Sequence, residues 1–391
     1  MRSFSAQYVI TGTGNRLKRA VITTEDDGTI ISIENTTGAL KEKHSTEFHN
    51  GIIVPGFINA HCHLELSHLK GQTKKDEGLG GFIEQIRNNR YSPKEDIISA
   101  AYSADNYMYS EGIVLCADIC NTPDTFGIKK ESRIRYINLL EVFGLDPEKA
   151  TARMADIIRV AEKAKEMDLP YYLIPHSAYS ISTSLFRILR NETQNNKVTS
   201  IHFMETEGEE TFLKHRTGPL MSTYERSGLI PSIFEIPENH ASVILNEITE
   251  SGNLILVHCT FADRDIIRLI KKRRNVFWCL CPNSNIYIEN SLPPVKLLIE
   301  EGCEIIIGTD SLASNNNLSI LEELKTLQLN FPDIPLEDLI SWATINGARA
   351  LGEQEHFGSI EPGKKPGLLL IENADLLNMK LLPECFVTRL I

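Results

Sequence analysis

Two histidines separated by one residue end an apolar run early in the chain. The run covers residues 52–63, IIVPGFINAHCH, and contains His61 and His63. Side chains alternate faces along a strand, so both imidazoles point to one side while Cys62 points to the other. Two neutral imidazoles that converge on one point are half of a zinc-type site. The pair alone is a weak signal, because histidines at a strand end are more often ordinary polar residues.

Later apolar runs end in further histidines and in one aspartate. His176 ends YYLIPH, His202 lies in VTSIHF, His258 lies in NLILVHC, and Asp310 ends CEIIIGTD. A lone histidine at one strand end is more often structural. Five of the 11 histidines stand at these few predicted strand ends together with an aspartate, and this clustering favours one shared site.

These residues can hold one divalent metal ion and supply acid–base groups beside it. Three nitrogens and one oxygen, with water in the remaining position, suit Zn²⁺ or else Fe²⁺. The predicted ligands are His61, His63, His202 and Asp310. A bound divalent ion can lower the pKa of its water to roughly 7.

Glu205 lies three residues after His202, close enough to shuttle protons without occupying the metal. His258 is either a fourth nitrogen ligand or, as we favour, polarises the attacking water and stabilises the tetrahedral oxygen.

Eight strand-like runs carry these residues, and each run is followed by helical sequence. The runs begin at residue 52 and continue at 112–119, 133–144, 171–176, 198–203, 253–259, 275–281 and 303–310. Helical patterns cover 79–90, 94–110, 146–167, 182–195, 237–250, 262–273 and 292–301. Continuous β-branched runs suit strands buried on both faces. Eight βα units predict a (β/α)8 TIM barrel, in which chemistry sits at the C-terminal strand ends. Residues 206–235 form the longest insertion, which we expect to be an irregular loop or lid over the site.

Both ends of the chain carry short β runs outside this repeat. YVITG and AVITTEDDGTIISIE lie within the first 35 residues, and GLLLIEN and CFVTRLI end the chain. Neither end is long enough to bury a core alone. We therefore expect residues 1–54 and 358–391 to form one composite β-sandwich domain, with residues 55–357 forming the barrel.

Composition limits the partners of this 391-residue chain. Lys and Arg total 40 against 52 Asp and Glu, a formal net charge of −12, which argues against nucleic acid or an anionic membrane. No apolar run is long enough to span a membrane, and we expect no signal peptide. Eight cysteines without a C-x-x-C pair favour buried free thiols in a reducing cytoplasm. The expected partner is a small-molecule substrate; the oligomeric state stays open, a homodimer being one option.

Four motifs in this order resemble those of the amidohydrolase superfamily. They are V-P-G-F-I-N-A-H-C-H at 54–63, H-x-x-E at 202–205, V-H-C at 257–259 and G-T-D-S-L-A-S-N-N at 308–316. Within the superfamily they are similar to the cytosine, guanine, adenosine-analogue and triazine aminohydrolases, over nearly the whole chain. The resemblance implies a (β/α)8 barrel with a composite β-sandwich and one catalytic metal. It also implies that Glu205, His258 and Asp310 are proton-transfer groups. The region YYLIPHSAYS lacks a lysine that could bridge two metals, which favours the single-metal subtype.

A finer resemblance concerns the substrate. The segment LELSH at 64–68 and the short chain are most similar to the aminodeoxyfutalosine deaminases. The candidate substrate-binding residues are Glu65, His68, Glu141 and His176. His176 lies within P-H-S-A-Y-S, which resembles the family's strand-four motif. Surface or supporting roles are the alternative for Glu65 and Glu141.

The leading interpretation is a metal-dependent deaminase that attacks a C–NH₂ carbon of an aromatic nitrogen heterocycle. Glu205 would protonate the ring nitrogen, and Asp310 would take a proton from the attacking water. One alternative is a hydrolase with the same apparatus that acts on a chloro-heterocycle or a cyclic amide. A non-catalytic scaffold of this fold is a second alternative, disfavoured because no predicted ligand has been lost.

Overall fold

The structure is a computed structural model that describes residues 1–39, 45–226, 228, 240–250 and 252–391. The strands are β1 (Arg2–Ile10), β2 (Arg16–Lys18), β3 (Val21–Thr24), β4 (Ile30–Glu34), β5 (Thr46–Pro55), β6 (Phe57–Cys62), β7 (Ile113–Cys120), β8 (Arg135–Val142), β9 (Tyr171–Pro175), β10 (Val198–Phe203), β11 (Asn253–His258), β12 (Val276–Leu280), β13 (Glu304–Ile307), β14 (Leu368–Glu372) and β15 (Phe386–Arg389). The α-helices are α1 (Gly78–Asn89), α2 (Lys94–Ser110), α3 (Phe126–Glu131), α4 (Ala150–Glu166), α5 (Thr183–Glu192), α6 (Gly208–His215), α7 (Pro219–Arg226), α8 (His240–Glu247), α9 (Arg264–Ile270), α10 (Pro282–Glu289), α11 (Val295–Glu300), α12 (Ile320–Asn330), α13 (Leu336–Trp342) and α14 (Ile345–Leu351). Short 3₁₀ helices cover Leu64–Leu69 and Pro147–Lys149.

Strands β6 to β13 form two parallel four-stranded sheets in chain order. One sheet has the order β6-β7-β8-β9 and the other β10-β11-β12-β13. The two sheets meet at two edges, here called seams, and a parallel backbone bridge joins them at each. One bridge lies between Ser177 and His202, and the other lies between Cys62 and Asp310. Both bridges lie at or just beyond the C-terminal ends of strands. The seams therefore bring histidines and the aspartate from separate strands to one edge.

Gly308 permits the close approach at the second seam. A Cβ at this position would lie 2.8 Å from the Cβ of His61 and 2.9 Å from its carbonyl oxygen. The Gly308 amide donates to the Leu280 carbonyl at 2.9 Å, which keeps this segment beside β12. A larger residue would push the segment, and Asp310 with it, away from β6.

The observed helices agree with the predicted ones within a few residues over most of the described chain. Two short helices, α3 and α10, were not predicted. The expectation of an irregular segment over residues 206–235 is wrong for the part that is described, because that part contains α6 and α7. Residues 227 and 229–235 of the segment lie outside the described residues, and its role as a lid stays a prediction.

Both ends of the chain contribute strands to one seven-stranded sheet. Its order is β15-β14-β5-β1-β3-β4, with β2 paired to β1. Strand β14 runs antiparallel to β5 with Leu370 opposite Ile53, and both residues join a buried cluster with Phe4 and Ile22. All described terminal strands belong to this one sheet, so a sandwich of two sheets stays a prediction, as do the domain boundaries.

Pro55 and Gly56 separate the terminal sheet from the parallel strands. Strand β5 ends at Pro55 and β6 begins at Phe57. The apolar run that begins at residue 52 is therefore divided between two sheets, with its first residues in β5 of the terminal sheet and its later ones in β6. A Cβ on Gly56 would lie 2.4 Å from Val114 Cγ1 and 2.6 Å from the Pro366 carbonyl oxygen, so this junction requires glycine.

Two further expectations concern the state of the cysteines and the presence of a membrane-spanning segment. All eight cysteines are free, and all except Cys303 are buried. Cys62 packs behind its strand, with its Sγ 4.0 Å from Met108 Sδ of α2. Among the described residues, no helix has both the length and the apolar character needed to cross a membrane.

We predict that the contact of β14 with the parallel strands contributes strongly to stability. Leu369 is fully buried, and a Cβ on Gly112 at the start of β7 would meet its Cδ1 at 2.4 Å. Leu369→Ala should therefore lower the free energy of unfolding by about 2–5 kcal/mol, as cavity-forming substitutions do. Leu377, in the same C-terminal segment, is 90% exposed, and Leu377→Ala should change it by less than about 0.5 kcal/mol. Urea unfolding of both variants checks this; equal effects would contradict the observed packing.

Candidate active site

Three histidines from two strands converge beyond the strand ends. His61 and His63 come from β6 and its end, and His202 comes from β10; one ring nitrogen of each lies within 4.8 Å of the others. The two Nε2 atoms of His61 and His63 are 3.1 Å apart. The Nδ1 atom of His202 lies 3.0 Å from the His176 carbonyl oxygen, which leaves its Nε2 for the cluster. The pKa values of His63 and His202 lie well below the usual range. Burial is the largest cause, and the neighbouring imidazoles are the second. Both rings are therefore neutral, as metal ligands must be.

Asp310 presents one carboxylate oxygen to this cluster. Its Oδ1 lies 3.4 Å from His63 Nε2 and 3.7 Å from His61 Nε2. Its Oδ2 accepts hydrogen bonds of 2.6 Å from the hydroxyls of Ser284 and Ser314. Burial opposes ionisation, but hydrogen bonding to His61 and the favourable interaction with the neighbouring imidazoles outweigh it and hold the pKa of Asp310 well below its usual range. The carboxylate is therefore ionised and fixed in orientation.

The arrangement of these donor atoms fits a divalent ion. A tetrahedral ion with bonds of about 2.0–2.1 Å holds its ligand atoms roughly 3.3–3.4 Å apart. The separations of 3.1, 3.4 and 3.7 Å among His61, His63 and Asp310 lie close to that value. The donor set of nitrogens with one carboxylate is that of zinc-type sites.

The carboxyl group of Glu205 lies beside His258 and Tyr179. Its Oε2 accepts a hydrogen bond of 3.2 Å from the Tyr179 hydroxyl, and its Oε1 lies 3.5 Å from His258 Nε2. Burial, followed by the negative charges of Asp310 and Glu209, raises the pKa of Glu205 well above its usual range. The surroundings of Glu205 therefore favour its protonated form, whereas those of Asp310 favour the carboxylate.

His258 occupies the space between Glu205 and the other histidines. Its ring centroid lies 5.4 Å from that of His202 and 5.8 Å from that of His61. Burial lowers its pKa to about 3, so the imidazole is neutral. Its Nδ1 lies 3.4 Å from the side-chain nitrogen of Asn285, which leaves Nε2 directed at Glu205.

The backbone at these positions adopts an uncommon conformation. Met204, His258 and Asp310 have φ angles of 47°, 72° and 57°, in the left-handed region that residues other than glycine seldom adopt. Each residue lies at or just after a strand end, where the chain turns sharply. Such local strain persists only where surrounding contacts enforce it, and it is concentrated at functional sites.

His176 and Glu141 line the side of the cluster behind His202. The His176 ring stacks on His202 with centroids 4.5 Å apart, and its Nδ1 lies within 2.9 Å of the hydroxyls of Ser177 and Ser180. Glu141 Oε1 lies 3.6 Å from His202 Nδ1 and is buried without a hydrogen-bond partner among the described residues. Burial raises the pKa of Glu141 to about 7. Both residues thus adjoin the cluster, and their contact with substrate stays a prediction.

Glu65 and His68 are engaged by the protein itself. The Glu65 carboxylate accepts from Arg90 at 2.8 Å and from the Asn121 amide and the Thr122 amide and hydroxyl, each at 3.1 Å. The ring nitrogens of His68 both lie 3.2 Å from backbone carbonyl oxygens, those of Glu65 and Arg90. These contacts favour a supporting role, in which Glu65 anchors the loop after β7. Direct reading of the substrate by either residue stays a prediction.

Several residues that complete the site were absent from the sequence analysis. They are Tyr179, Glu209, Ser284, Asn285 and Ser314, which hold Glu205, His258 and Asp310 through the contacts above. They lie on loops or helices after the strands, where no strand-end signal marks them. Two were visible indirectly, since Tyr179 and Ser314 stand inside the quoted motifs.

The comparisons with known proteins agree with this geometry. The model of the Amidohydrolase family matches residues 52–387. A 5'-deoxyadenosine deaminase of Methanobrevibacter smithii is 28% identical over 370 residues, covering 86% of this chain and 75% of that protein. The chain therefore belongs to the Amidohydrolase family and is a hydrolase acting on carbon–nitrogen bonds. The resemblance to the deaminase branch of the superfamily is confirmed.

Solved structures support the fold. An aminofutalosine deaminase of Helicobacter pylori, in complex with methylthio-coformycin, superposes with a TM-score of 0.80 at 24% identity, covering 95% of this chain and 92% of that one. An adenosine deaminase of Xanthomonas campestris with bound zinc has a TM-score of 0.69 at 20% identity, covering 97% and 86%. These neighbours imply a TIM barrel with a small additional domain.

We predict one tightly bound divalent transition metal per chain. His63→Ala removes a nitrogen from the converging cluster and should abolish stoichiometric binding. His68→Ala is the matched control, because its ring contacts only backbone carbonyls, and it should retain one ion. Elemental analysis of the purified proteins gives the answer. Two tight ions in the unmodified chain, or a full complement in His63→Ala, would contradict the assignment.

Proposed function

We propose that the chain is a zinc-dependent deaminase that hydrolyses the C–NH₂ group of a purine nucleoside and releases ammonia. The names of its relatives, 5'-deoxyadenosine deaminase and adenosine deaminase among them, support a 6-aminopurine nucleoside as the substrate class. Aminodeoxyfutalosine, a nucleoside-like compound, is one candidate within it. We also propose that β6 to β13 close into a single barrel and that residues 1–54 and 358–391 form the second domain.

One observation carries this proposal: two carboxyl groups stand beside the converging histidines in opposite surroundings. Glu205 lies between the Tyr179 hydroxyl and His258, which favours its protonated form, whereas Asp310 faces His61, His63 and two serine hydroxyls, which favours its carboxylate. Two titratable groups with pKa values pushed apart provide an acid and a base in one site. Hydrolytic deamination requires both, since the ring must gain a proton while the attacking water loses one.

The ligands of the zinc ion would be His61, His63, His202 and Asp310. A bound zinc ion supplies Lewis-acid activation of water. Glu205 is not among these ligands, because its carboxyl group faces Tyr179 and His258 instead. Glu205 is therefore available for proton transfer.

Three side chains have separate roles in the reaction. Glu205 donates its proton to the ring nitrogen next to the amino-bearing carbon, which makes that carbon electrophilic. Asp310 accepts a proton from the attacking water as the new C–O bond forms. His258 Nε2, which lacks a hydrogen-bond partner among the described residues, donates to the developing oxygen. Asp310 then passes its proton to the amino nitrogen while Glu205 recovers a proton from the new hydroxyl group, and the C–N bond breaks to leave a ring carbonyl and ammonia.

In this proposal, His176 and Glu141 contact the rest of the substrate. His176 is half-buried, and the ring of Phe143, which is 39% exposed, lies 6.1 Å from it. This pair of rings continues from His202 toward solvent and suits the flat face of a heterocycle.

We predict ammonia release from adenosine-type nucleosides. A panel of adenosine, 5'-deoxyadenosine, 5'-methylthioadenosine and aminodeoxyfutalosine, with cytosine and guanine for comparison, should show turnover on at least one 6-aminopurine nucleoside. Glu205→Gln preserves shape but cannot exchange a proton near neutral pH, so kcat should fall on the order of 10²–10⁴-fold with full metal content.

Two further variants control this measurement. Glu207→Gln makes the same chemical change at an exposed position two residues away and should retain wild-type turnover. His202→Ala should lose metal and activity together. The proposal would be wrong if Glu205→Gln emptied the metal site or kept full turnover, or if only chlorinated heterocycles or cyclic amides were hydrolysed.

A further inference from the structure

A second buried glutamate holds the turn that carries Glu205. Glu209 lies in the first turn of α6 and is completely buried. Its Oε1 accepts the backbone N–H of Glu205 at 2.6 Å and that of Thr206 at 3.2 Å. The carboxylate therefore reaches back over the start of its own helix to the residue that carries the proposed acid.

The backbone of this turn requires such a partner. Strand β10 ends at Phe203, and Met204 turns the chain with a φ of 47°. Past this residue, the amides of Glu205 and Thr206 no longer face the neighbouring strand β11. Buried amides without acceptors are strongly disfavoured. One carboxylate satisfies both and so holds the turn in its strained conformation.

Glu205 is consequently held from two directions. Its backbone is fixed by Glu209, and its carboxyl group lies between the Tyr179 hydroxyl and His258 Nε2. A proton donor must keep its reacting atom within a fraction of an ångström of the productive position, because a displacement of 1 Å can cost about 10²-fold in rate.

We propose that Glu209 is a positioning residue for the reaction, which sets the location of Glu205 by holding its backbone. This inference rests on the role that the proposed function gives to Glu205. It differs from an ordinary helix cap, which would contribute to stability without a specific effect on the step that Glu205 performs.

The test compares substitutions at Glu209 with one at its neighbour. Glu209→Ala should lower kcat about 10–100-fold, change KM less than about threefold and leave the metal content at its wild-type value. Glu209→Gln keeps a carbonyl acceptor for the two amides and should restore kcat to within about fivefold of wild type. Glu210→Ala, at the next position on the exposed face of α6, should retain wild-type kinetics.

A double substitution separates positioning from general damage. In the Glu205→Gln background, Glu209→Ala should lower kcat by less than about twofold further, because the group it positions is already lost. Hydrogen exchange provides a readout independent of activity: the amides of Glu205 and Thr206 should exchange at least tenfold faster in Glu209→Ala than in Glu209→Gln. If Glu209→Ala does not fold, Glu209→Asp, which is shorter by one methylene, should show the same changes in the same direction.

Several results would overturn the inference. A full additional 10–100-fold loss in the Glu205→Gln background would show a general structural effect. Wild-type kcat in Glu209→Ala, or unchanged exchange of the two amides, would show that the contact does not position Glu205. Failure of the proposed function is distinguishable, since the unmodified chain would then release no ammonia from any nucleoside.

Discussion

The backbone contact between β6 and the segment after β13 is the constraint on which the site depends. The amide of Asp310 donates to the His61 carbonyl at 3.1 Å, which places the aspartate carboxylate beside both histidines of β6. Asn59 fixes the same seam, because its side chain donates to the Thr309 hydroxyl at 2.7 Å and accepts the Thr309 amide at 3.1 Å. Gly308 is the residue that lets the two segments approach so closely. The first and last parallel strands thereby deliver three of the four proposed ligands.

The remaining groups are oriented by contacts from neighbouring strands and helices. The His176 carbonyl fixes the ring of His202, and two serine hydroxyls fix Asp310. Such outer contacts determine the tautomer and direction of metal ligands. Here they also produce the asymmetry between Glu205 and Asp310, since one carboxyl group faces a phenol and a neutral imidazole while the other faces hydroxyls and ligand histidines. In the proposed reaction, the surroundings thus decide which group is the acid and which the base, although both side chains are carboxylic acids.

The convergence of His61, His63, His202 and Asp310 could be predicted from the sequence, because buried parallel strands are continuous apolar runs whose ends are apparent in the sequence.

The sequence-based prediction of structure was less complete where no periodic pattern marks an element. The run from residue 52 is interrupted at Pro55 and Gly56, and the structure divides it between two sheets at this point. Helices α6 and α7 have eight residues each, too short to stand out in a segment interrupted by glycine and proline. Glu209 lies in the segment that the sequence predicts to be irregular, and only the fold reveals its burial against the turn after β10. The role of Glu65 in substrate binding stays a prediction, and its carboxylate contacts Arg90 and the loop after β7.

The central claim is that one metal ion and the residues around it form a single deaminating site. The most direct test is to remove bound metal with a chelator and to follow ammonia release from the best nucleoside substrate while Zn²⁺ is added back. Activity should be absent without metal, rise linearly and level off at one equivalent per chain. Turnover that persists in the metal-free protein, or that continues to rise to two equivalents, would contradict this account.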